Sequence, residues 1–326
     1  MHMKLLMKKI RLKLQQSKFS KILKRIWDVL LAGVFSLLSF WWFLCGFKKP
    51  SAEEVQFVRE NVTFIYKSFE RQTMAKNLYR NIQRYYPGVK VVIADDSQKP
   101  LQMQAPGLTI VQLPFNSGLC KGLNCALDEV TTPYIFRMDD DELLTPFTQI
   151  GKQLQFLQSN PQIDLVGVQA ISINTPVKPE DYAKIYAPQS MSNAPKKLLL
   201  PHMTQIDDVH YIVGKCANIF LCRTDKIKQL GYDEQIRMAD HNEFFYRAAG
   251  NLVSSMDISA WVLHYHNPFD AHYKTYRRDI KKDMDYIMAK HSDTYMNVSE
   301  RDKFLYRHIK QKTWQQIKEF YSNQNT

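Results

Sequence analysis

The strongest constraint on the fold is an alternation of short β-rich runs and helical segments between residues 62 and 170. Apolar residues at helical spacing fill three of the stretches between five β-rich runs. The predicted strands are residues 62–67, 90–94, 108–113, 134–138 and 163–170, and the predicted helices are residues 72–86, 118–130 and 147–159. This order predicts an α/β fold with a mostly parallel, doubly wound sheet flanked by helices.

Two acidic clusters follow directly after predicted strands. Asp95 and Asp96 come after the second strand, and Asp139, Asp140 and Asp141 come after the fourth. Ligands of open parallel sheets bind beyond the carboxyl ends of the strands, so both clusters are candidate site residues. The sequence has no GxGxxG and no GxxxxGK[ST] motif, which argues against dinucleotide-binding and P-loop enzymes. Carboxylates are hard oxygen ligands, so the triplet instead predicts a divalent cation, Mn²⁺ or Mg²⁺.

The excess of positive charge is concentrated at the start of the chain. The net charge is +12, and residues 1–25 hold nine Lys or Arg and no acid, so the remainder carries 12 − 9 = +3. Residues 26–47 then form an apolar run in which Asp28 is the single charge. A basic segment beside an apolar run indicates a membrane surface rather than a nucleic acid polymer as the partner. We therefore expect a basic amphipathic segment over residues 1–25 and a membrane anchor over residues 26–49, either transmembrane or re-entrant.

The location of the predicted anchor has two interpretations. The positive-inside rule places the basic tail in the cytoplasm. A re-entrant helix at a bacterial inner membrane keeps the following domain in the cytoplasm as well. We favour this interpretation because the start of the apolar run, KRIWDVLLAG, is similar to the re-entrant anchor of bacterial polyprenyl-phosphate sugar-1-phosphate transferases. A full span instead fits a Golgi type II membrane protein. Five cysteines without a CxxC pair predict free thiols and a reducing compartment.

The order of strands and acidic clusters resembles the glycosyltransferase A fold in its large inverting family, glycosyltransferase family 2. The chain is similar to the ganglioside-type β-1,4-N-acetylgalactosaminyltransferases and their bacterial relatives. The matching stretches are TFIYKSFER (63–71), YYPGVKVVIADDSQKP (85–100), LPFNSG (113–118), VTTPYIFRMDDDELL (130–144), IDLVGVQA (163–170), ANIFLCRTDKIKQLGYD (217–233) and HNEFF (241–245). The resemblance implies a catalytic domain over residues 50–268, followed by a basic helical extension over residues 269–326.

The resemblance also implies a nucleotide-sugar pocket and a metal site. The residues implied for the nucleotide sugar are Lys67, Asp95, Asp96, Asn116, Asp139 and Asp140. Relatives carry an arginine where this chain has Leu123, and Lys121 is the candidate replacement. The implied metal ligands are Asp141, Asp139 and His264.

The catalytic base departs from the family pattern. Many relatives read Glu-Asp-x-Glu-Phe at the start of a helix that faces the acceptor, and the Asp is the base. Here the segment is Asp240-His241-Asn242-Glu243-Phe244, so His241 takes the base position. The base is open among Asp240, His241 and Glu243, and His266 is the reserve candidate. The chemistry asks for such a base opposite the leaving group and for a cation on the leaving diphosphate.

These observations predict an inverting, metal-dependent glycosyltransferase. It would transfer a hexose or N-acetylhexosamine from a nucleoside-diphosphate donor, a UDP-sugar, to a glycan or lipid-linked acceptor in surface polysaccharide or lipopolysaccharide synthesis. One alternative is a sugar-phosphate or polyol-phosphate transferase of capsule synthesis, which would release a nucleoside monophosphate. The other is a non-catalytic membrane scaffold on the same fold, for which the missing Asp at the base position is the only support.

Overall fold

The computed structural model describes residues 18–44, 49–172, 198–265, 276 and 280–291. The helices are α1 (Lys18–Leu44), α2 (Ala52–Asn61), α3 (Gln72–Tyr85), α4 (Leu119–Asp128), α5 (Ile150–Ser159), α6 (Thr224–Leu230), α7 (Asp240–Ala248) and α8 (Ile280–Lys290). The strands are β1 (Val62–Ser68), β2 (Lys90–Asp95), β3 (Leu108–Gln112), β4 (Tyr134–Arg137), β5 (Glu142–Leu143), β6 (Leu165–Ser172), β7 (His210–Ile212), β8 (Phe220–Arg223) and β9 (Ser254–His264). The five predicted strands and three predicted helices are confirmed, with small differences at their ends.

The strands form one mixed sheet. Their order is β3-β2-β1-β4-β8-β6-β9-β5, and β7 also pairs with β9. Strands β1 to β4 are parallel to one another, as is the pair β6 and β9. Strand β8 runs antiparallel between β4 and β6, and β5 and β7 run antiparallel to β9. The expectation of a mostly parallel sheet is therefore correct for β1 to β4 and for the pair β6 and β9, and wrong for β5, β7 and β8. An apolar run predicts burial and not strand direction.

The central strands are continuous apolar runs because both faces of the sheet are buried. Every residue of β1 is buried except Lys67, which lies near the carboxyl end of the strand. Helix α3 buries a stripe that includes Met74, Leu78 and Ile82, residues that share one face at a spacing of four. Burial of each such aliphatic side chain contributes about 1.5–3 kcal/mol. Two apolar clusters, one on each side of the sheet, result from this packing and hold the strand ends in place.

Helix α1 packs against this domain along one face. Phe35 and Leu38 are partly buried against the core, and Trp42 is completely buried. The Trp42 ring centroid lies 6.0 Å from that of Trp261 and 6.1 Å from that of Phe147. Among the described residues, no helix has both the length and the apolar character that a bilayer crossing requires. The predicted transmembrane form of the anchor is thus unsupported.

Two other sequence predictions fall partly within the described residues. Cys120, Cys125, Cys216 and Cys222 are all unpaired, in agreement with the predicted free thiols. Of the predicted C-terminal extension, the structure describes residue 276 and residues 280–291. His266 and most of the basic segment over residues 1–25 lie outside the described residues. The domain boundaries stay predictions.

Candidate active site

A cavity of about 790 Å³ opens at the carboxyl ends of β1 and β4. Its wall combines these strand ends with the end of β9, the start of α7 and one side of α8. Residues that line it include Lys67, Phe69, Arg71, Asn116, Gly118, Asp139, Asp140, Asp141, Asn218, Arg237, Asp240, His241, His264, Tyr276, Lys282, Asp283 and Tyr286. The cavity lies where an α/β sheet of this kind binds its ligands.

The acidic triplet enters the cavity because β4 ends beside β1. The backbone N–H of Met138 donates to the carbonyl of Ile65 at 3.1 Å, which continues the pairing of the two strands by one residue. The chain then turns into β5, where Glu142 pairs with His264 of β9. This register places His264 next to Asp141, with Nε2 3.6 Å from Oδ1. Two residues that are distant in sequence thus come together through strand pairing.

Arg71 supplies a positive charge to this triplet. Its guanidinium forms an ion pair with Asp140, and Nη1 lies 2.9 Å from Oδ2 of Asp141. Burial raises the pKa of the Asp140 carboxyl, and the attraction of Arg71 opposes that rise. Oδ2 of Asp140 is buried without a hydrogen-bond partner among the described residues. A buried carboxylate oxygen of this kind is costly to leave unsatisfied, which indicates that a further cation or donor belongs here.

The metal ligands predicted from the sequence are brought together only in part. Within the described ranges, no group of three or more His, Cys, Asp or Glu side chains is arranged to hold a metal ion. Asp139 is half-buried and turns to Arg137, with 2.9 Å between the ion-paired atoms. Asp141 and His264 remain as two adjacent ligands of suitable chemistry. Mg²⁺ commonly takes one or two protein ligands and completes its shell with phosphate oxygens and water, so these residues fit a cation that arrives with a diphosphate.

Lys67 lines the cavity and is paired with Asp96, the residue that follows β2. Its ammonium lies 2.5 Å from Oδ1 of Asp96, whose Oδ2 accepts the backbone N–H of Gly118 at 3.0 Å. Asp95 accepts hydrogen bonds from Ser97 and from the backbone N–H of Leu101 at 2.7 Å, which closes the loop after β2. Neither Asp95 nor Asp96 lines the cavity. Both are fully buried, and Asp96 connects Lys67 near the end of β1 to Gly118 at the start of α4.

The segment that leads into α4 is only partly at the site. Asn116 lines the cavity with a positive φ of 56°, and Gly118 follows with φ of 107°, a conformation that favours glycine. Lys121 lies exposed on α4 and does not line the cavity. The structure therefore does not place Lys121 among the residues that line the cavity. The cations that line the cavity wall from the first half of the chain are Lys67 and Arg71.

Asp240 is held at the start of α7 by a fully buried arginine. Nη2 of Arg137 lies 3.1 Å from Oδ2 of Asp240, and Nδ2 of Asn218 donates to the same oxygen at 3.2 Å. Burial raises the pKa of Asp240 to about 6, although Arg137 and Asn218 act to lower it. Burial also lowers the pKa of Arg137, but Asp139 and Asp240 raise it by more, so the guanidinium stays charged. Arg137 thus joins the acidic triplet to α7.

His241 is half-buried in the cavity wall and oriented by a backbone carbonyl. Its Nε2 faces the carbonyl oxygen of Cys216, a contact that requires the proton to sit on Nε2. The second ring nitrogen, Nδ1, is then the proton acceptor in the neutral ring. Burial, and secondly the charge of Lys215, lowers the pKa of His241 to about 3. The imidazole is consequently neutral at neutral pH, with Nδ1 free of a proton, and the low pKa makes it a weak proton acceptor in the absence of substrates.

Glu243, the third candidate base, points away from the cavity. Its Oε1 accepts from Nε of Arg247 at 2.6 Å and from Nζ of Lys290 at 2.9 Å. Burial raises the pKa of Glu243, but these hydrogen bonds lower it by more, so it stays ionised. It does not line the cavity. Glu243 therefore connects α7 to α8, and its distance from the site follows from helical geometry, since positions 241 and 243 face different directions.

Several site residues were not identified from the sequence. Arg137 carried a signal, because it is a lone charge inside the buried strand YIFR. Arg71 ends a stretch that matches the family but has no distinct pattern of its own. Phe69, Phe115 and Tyr276 form an aromatic cluster at the cavity, with ring centroids 5.1–5.8 Å apart. These three rings are far apart in the sequence and come into contact only in the folded chain, so no local sequence pattern predicts the cluster.

Comparison with known proteins agrees with this geometry. Residues 63–220 match the family model described as glycosyl transferase family 2. β-1,4 N-acetylgalactosaminyltransferase 1 of Mus musculus is 35% identical over 201 residues, which cover 59% of this chain and 36% of the relative. β-1,4 N-acetylgalactosaminyltransferase 2 of Mus musculus is 28% identical over 198 residues, which cover 60% of this chain and 38% of the relative. The chain thus spans well under half the length of these relatives.

Similarity to a solved structure supports the fold. The crystal structure of S. aureus TarS 1–349 in complex with UDP-GlcNAc aligns with a TM-score of 0.52 and 17% identity, covering 74% of this chain and 69% of that one. At this identity the alignment shows the fold alone, a glycosyltransferase A fold. The sequence relatives and the strand-end acidic triplet agree with this fold. Residues 63–220, which are 158 of the 326 residues, are similar to glycosyl transferase family 2.

Proposed function

We propose that this chain is an inverting, metal-dependent glycosyltransferase that transfers a sugar from a UDP-sugar to a hydroxyl of a glycan or glycolipid. The observation that carries the proposal is one cavity lined by two chemically different sets of residues. Asp141, His264, Lys67 and Arg71 line it from the strand ends and the loops after them, and His241 lines it from the start of α7. The first set suits a diphosphate leaving group, and the second suits a proton acceptor.

The donor side binds negative charge. A divalent cation, Mn²⁺ or Mg²⁺, held by Asp141 and His264 would stabilise the charge that develops on the departing diphosphate. Lys67 and Arg71 add two fixed positive charges to the same wall. The aromatic cluster of Phe69, Phe115 and Tyr276 offers flat apolar surface to the base or to the sugar ring. The N-acetylgalactosaminyltransferase relatives favour an N-acetylhexosamine as the transferred sugar.

The acceptor side activates a hydroxyl. We assign His241 as the general base, because its neutral ring offers Nδ1 while Cys216 holds Nε2. The acceptor hydroxyl passes its proton to His241, its oxygen bonds to the anomeric carbon, and the bond from that carbon to the diphosphate breaks. UDP leaves with the electron pair, and the single displacement inverts the anomeric centre. Asp240 is a positioning residue that holds the α7 terminus through Arg137.

A donor screen tests this proposal. The full chain is incubated with a panel of UDP-sugars, with and without Mn²⁺, and the released nucleotide is identified. We expect metal-dependent release of UDP, greatest with an N-acetylhexosamine donor, and its loss in Asp141→Ala. Release of a nucleoside monophosphate would instead identify a sugar-phosphate transferase. No release from any donor would favour the scaffold alternative.

The biological setting of the proposal follows from the sequence. A lipid-linked or glycan acceptor in surface polysaccharide or lipopolysaccharide synthesis, at a bacterial inner membrane and on its cytoplasmic side, stays a prediction. The Golgi alternative remains as stated above. The acceptor is identified by adding candidate glycans to the donor assay and measuring the increase in UDP release.

A further inference from the structure

Helix α1 carries a large apolar face that the domain leaves uncovered. Among the described residues, thirteen large apolar side chains are exposed, and nine of them lie on α1. They are Ile22, Ile26, Val29, Leu30, Val34, Leu37, Phe40, Trp41 and Leu44. Leu37 is 71% exposed and Val29 is 72% exposed. A contiguous patch of this kind marks an interaction surface rather than ordinary scatter of surface leucines.

The apolar face points away from the domain, because the opposite side of α1 packs on the domain core. Phe35, Leu38 and Trp42 are spaced at three and four residues, share one face, and pack on the core. Leu30, Leu37 and the other exposed residues therefore look away from the domain. The helix lies along the domain surface over these turns, so it presents its apolar face sideways along a length of roughly 40 Å. This geometry suits a flat partner.

The charge around α1 identifies the partner. Residues 1–52 contain eleven Lys or Arg and one acid, Asp28, so they carry 11 − 1 = +10 of the net charge of +12. Anionic lipid headgroups attract such a segment, and an apolar face beside it enters the acyl boundary. A second copy of the chain would bring another +10 against the first, which opposes pairing through this face. A nucleic acid would match the charge but not the apolar surface.

We propose that α1 lies in the plane of an anionic membrane surface, with its uncovered apolar face in the acyl boundary, and that the net positive charge of residues 1–52 attracts this part of the chain to the headgroups. The domain stays on the side of the helix that carries Trp42. This arrangement differs from a transmembrane anchor, because the inner face of α1 is occupied by Phe147 and Trp261. It is independent of the sugar that the enzyme transfers.

Vesicle flotation of the full chain tests the proposal. We expect the protein to float with vesicles of equal parts phosphatidylglycerol and phosphatidylcholine, and to float at least tenfold less with phosphatidylcholine alone. High salt should weaken the interaction because it screens the headgroup charge. Equal flotation with both vesicle types in low salt would overturn the electrostatic part of the proposal. Absence of flotation with either type would overturn it entirely.

Matched variants separate the outward face from general surface hydrophobicity. Leu30→Glu and Leu37→Glu each place a charge in the acyl boundary and should reduce vesicle affinity by about tenfold or more. Leu199→Glu is the control, since Leu199 is 54% exposed in the described residues but lies outside α1. All three positions are exposed, so thermal unfolding should be unchanged. Unaltered flotation in both α1 variants, or a lipid-free dimer that Leu37→Glu dissociates without any vesicle binding, would overturn the assignment.

Discussion

Replacement of His241 separates the acceptor-side chemistry from the packing of α7. The change His241→Ala removes the Nδ1 acceptor and the contact of Nε2 with the Cys216 carbonyl. Loss of a positioned general base lowers turnover by about 10²–10⁴-fold. Loss of one neutral hydrogen bond lowers the free energy of unfolding by only about 1 kcal/mol. We therefore expect a folded enzyme that binds the donor normally and turns over very slowly.

Glu243→Gln is the matched comparison from the same helix. It removes the charge that accepts from Arg247 and Lys290, whose side chains are 21% and 33% exposed. Because water partly screens both partners, we expect the free energy of unfolding to fall by an amount at the lower end of the range for a hydrogen bond to a charged group, about 1.5–3 kcal/mol. Turnover should fall by no more than a few-fold, since Glu243 does not line the cavity. The two variants thus predict opposite patterns of turnover and stability.

The assay measures three quantities for each variant. Turnover is the rate of UDP release at saturating donor and acceptor, donor affinity is measured by calorimetry, and stability by thermal unfolding. A His241→Ala enzyme with near-normal turnover would refute the base assignment. If Glu243→Gln were the slow and stable variant instead, the carboxylate would be the base and α7 would have to rotate when substrates bind.

Three further predictions concern the rest of the cavity. Asp141→Ala should abolish UDP release and metal stimulation with little change in unfolding temperature, as measured by fluorescence; full activity in excess chelator would contradict the metal assignment. Burial raises the pKa of Asp240 to about 6, so a pH below that value protonates the carboxylate that pairs with Arg137, and kcat/KM should fall. Asp240→Asn should remove this acidic limb of the pH profile. His241 does not contribute to the limb, because its imidazole stays neutral until about pH 3. Gly122→Ala places a Cβ 2.8 Å from Cδ of Lys67, so it should displace the lysine and weaken donor binding several-fold in calorimetry without unfolding the chain.

The sequence predicts the first half of the fold well because the physical signals there are local. Strands β1 to β4 are apolar runs that end in polar residues. Helical segments separate β1 from β2 and β3 from β4, so the positions of the strands and of the acidic triplet can be predicted. The direction of β8 cannot be predicted from the sequence, because a buried four-residue strand has the same composition whether it runs parallel or antiparallel to its neighbours. The same limit explains why the antiparallel directions of β5 and β7 were not predicted.

The candidate site was predictable where the family motif is continuous and unpredictable where it depends on distant contacts. Asp139–Asp141 and His241 lie in contiguous motifs, and all of them line the cavity. Lys121 lies only one helical turn after the motif, yet its side chain faces solvent. Arg71 reaches the acidic triplet across 69 positions of sequence, a contact that no local pattern encodes.

The anomeric configuration of the first product tests the central claim most directly. Without an acceptor, water takes the place of the hydroxyl, and the enzyme slowly hydrolyses the donor. Proton NMR of a UDP-α-N-acetylhexosamine reaction, recorded before the free sugar equilibrates, distinguishes the two anomers. Single displacement by a base opposite the diphosphate predicts that the β-anomer appears first, and that Asp141→Ala produces neither. Initial release of the α-anomer would contradict the proposed inverting mechanism.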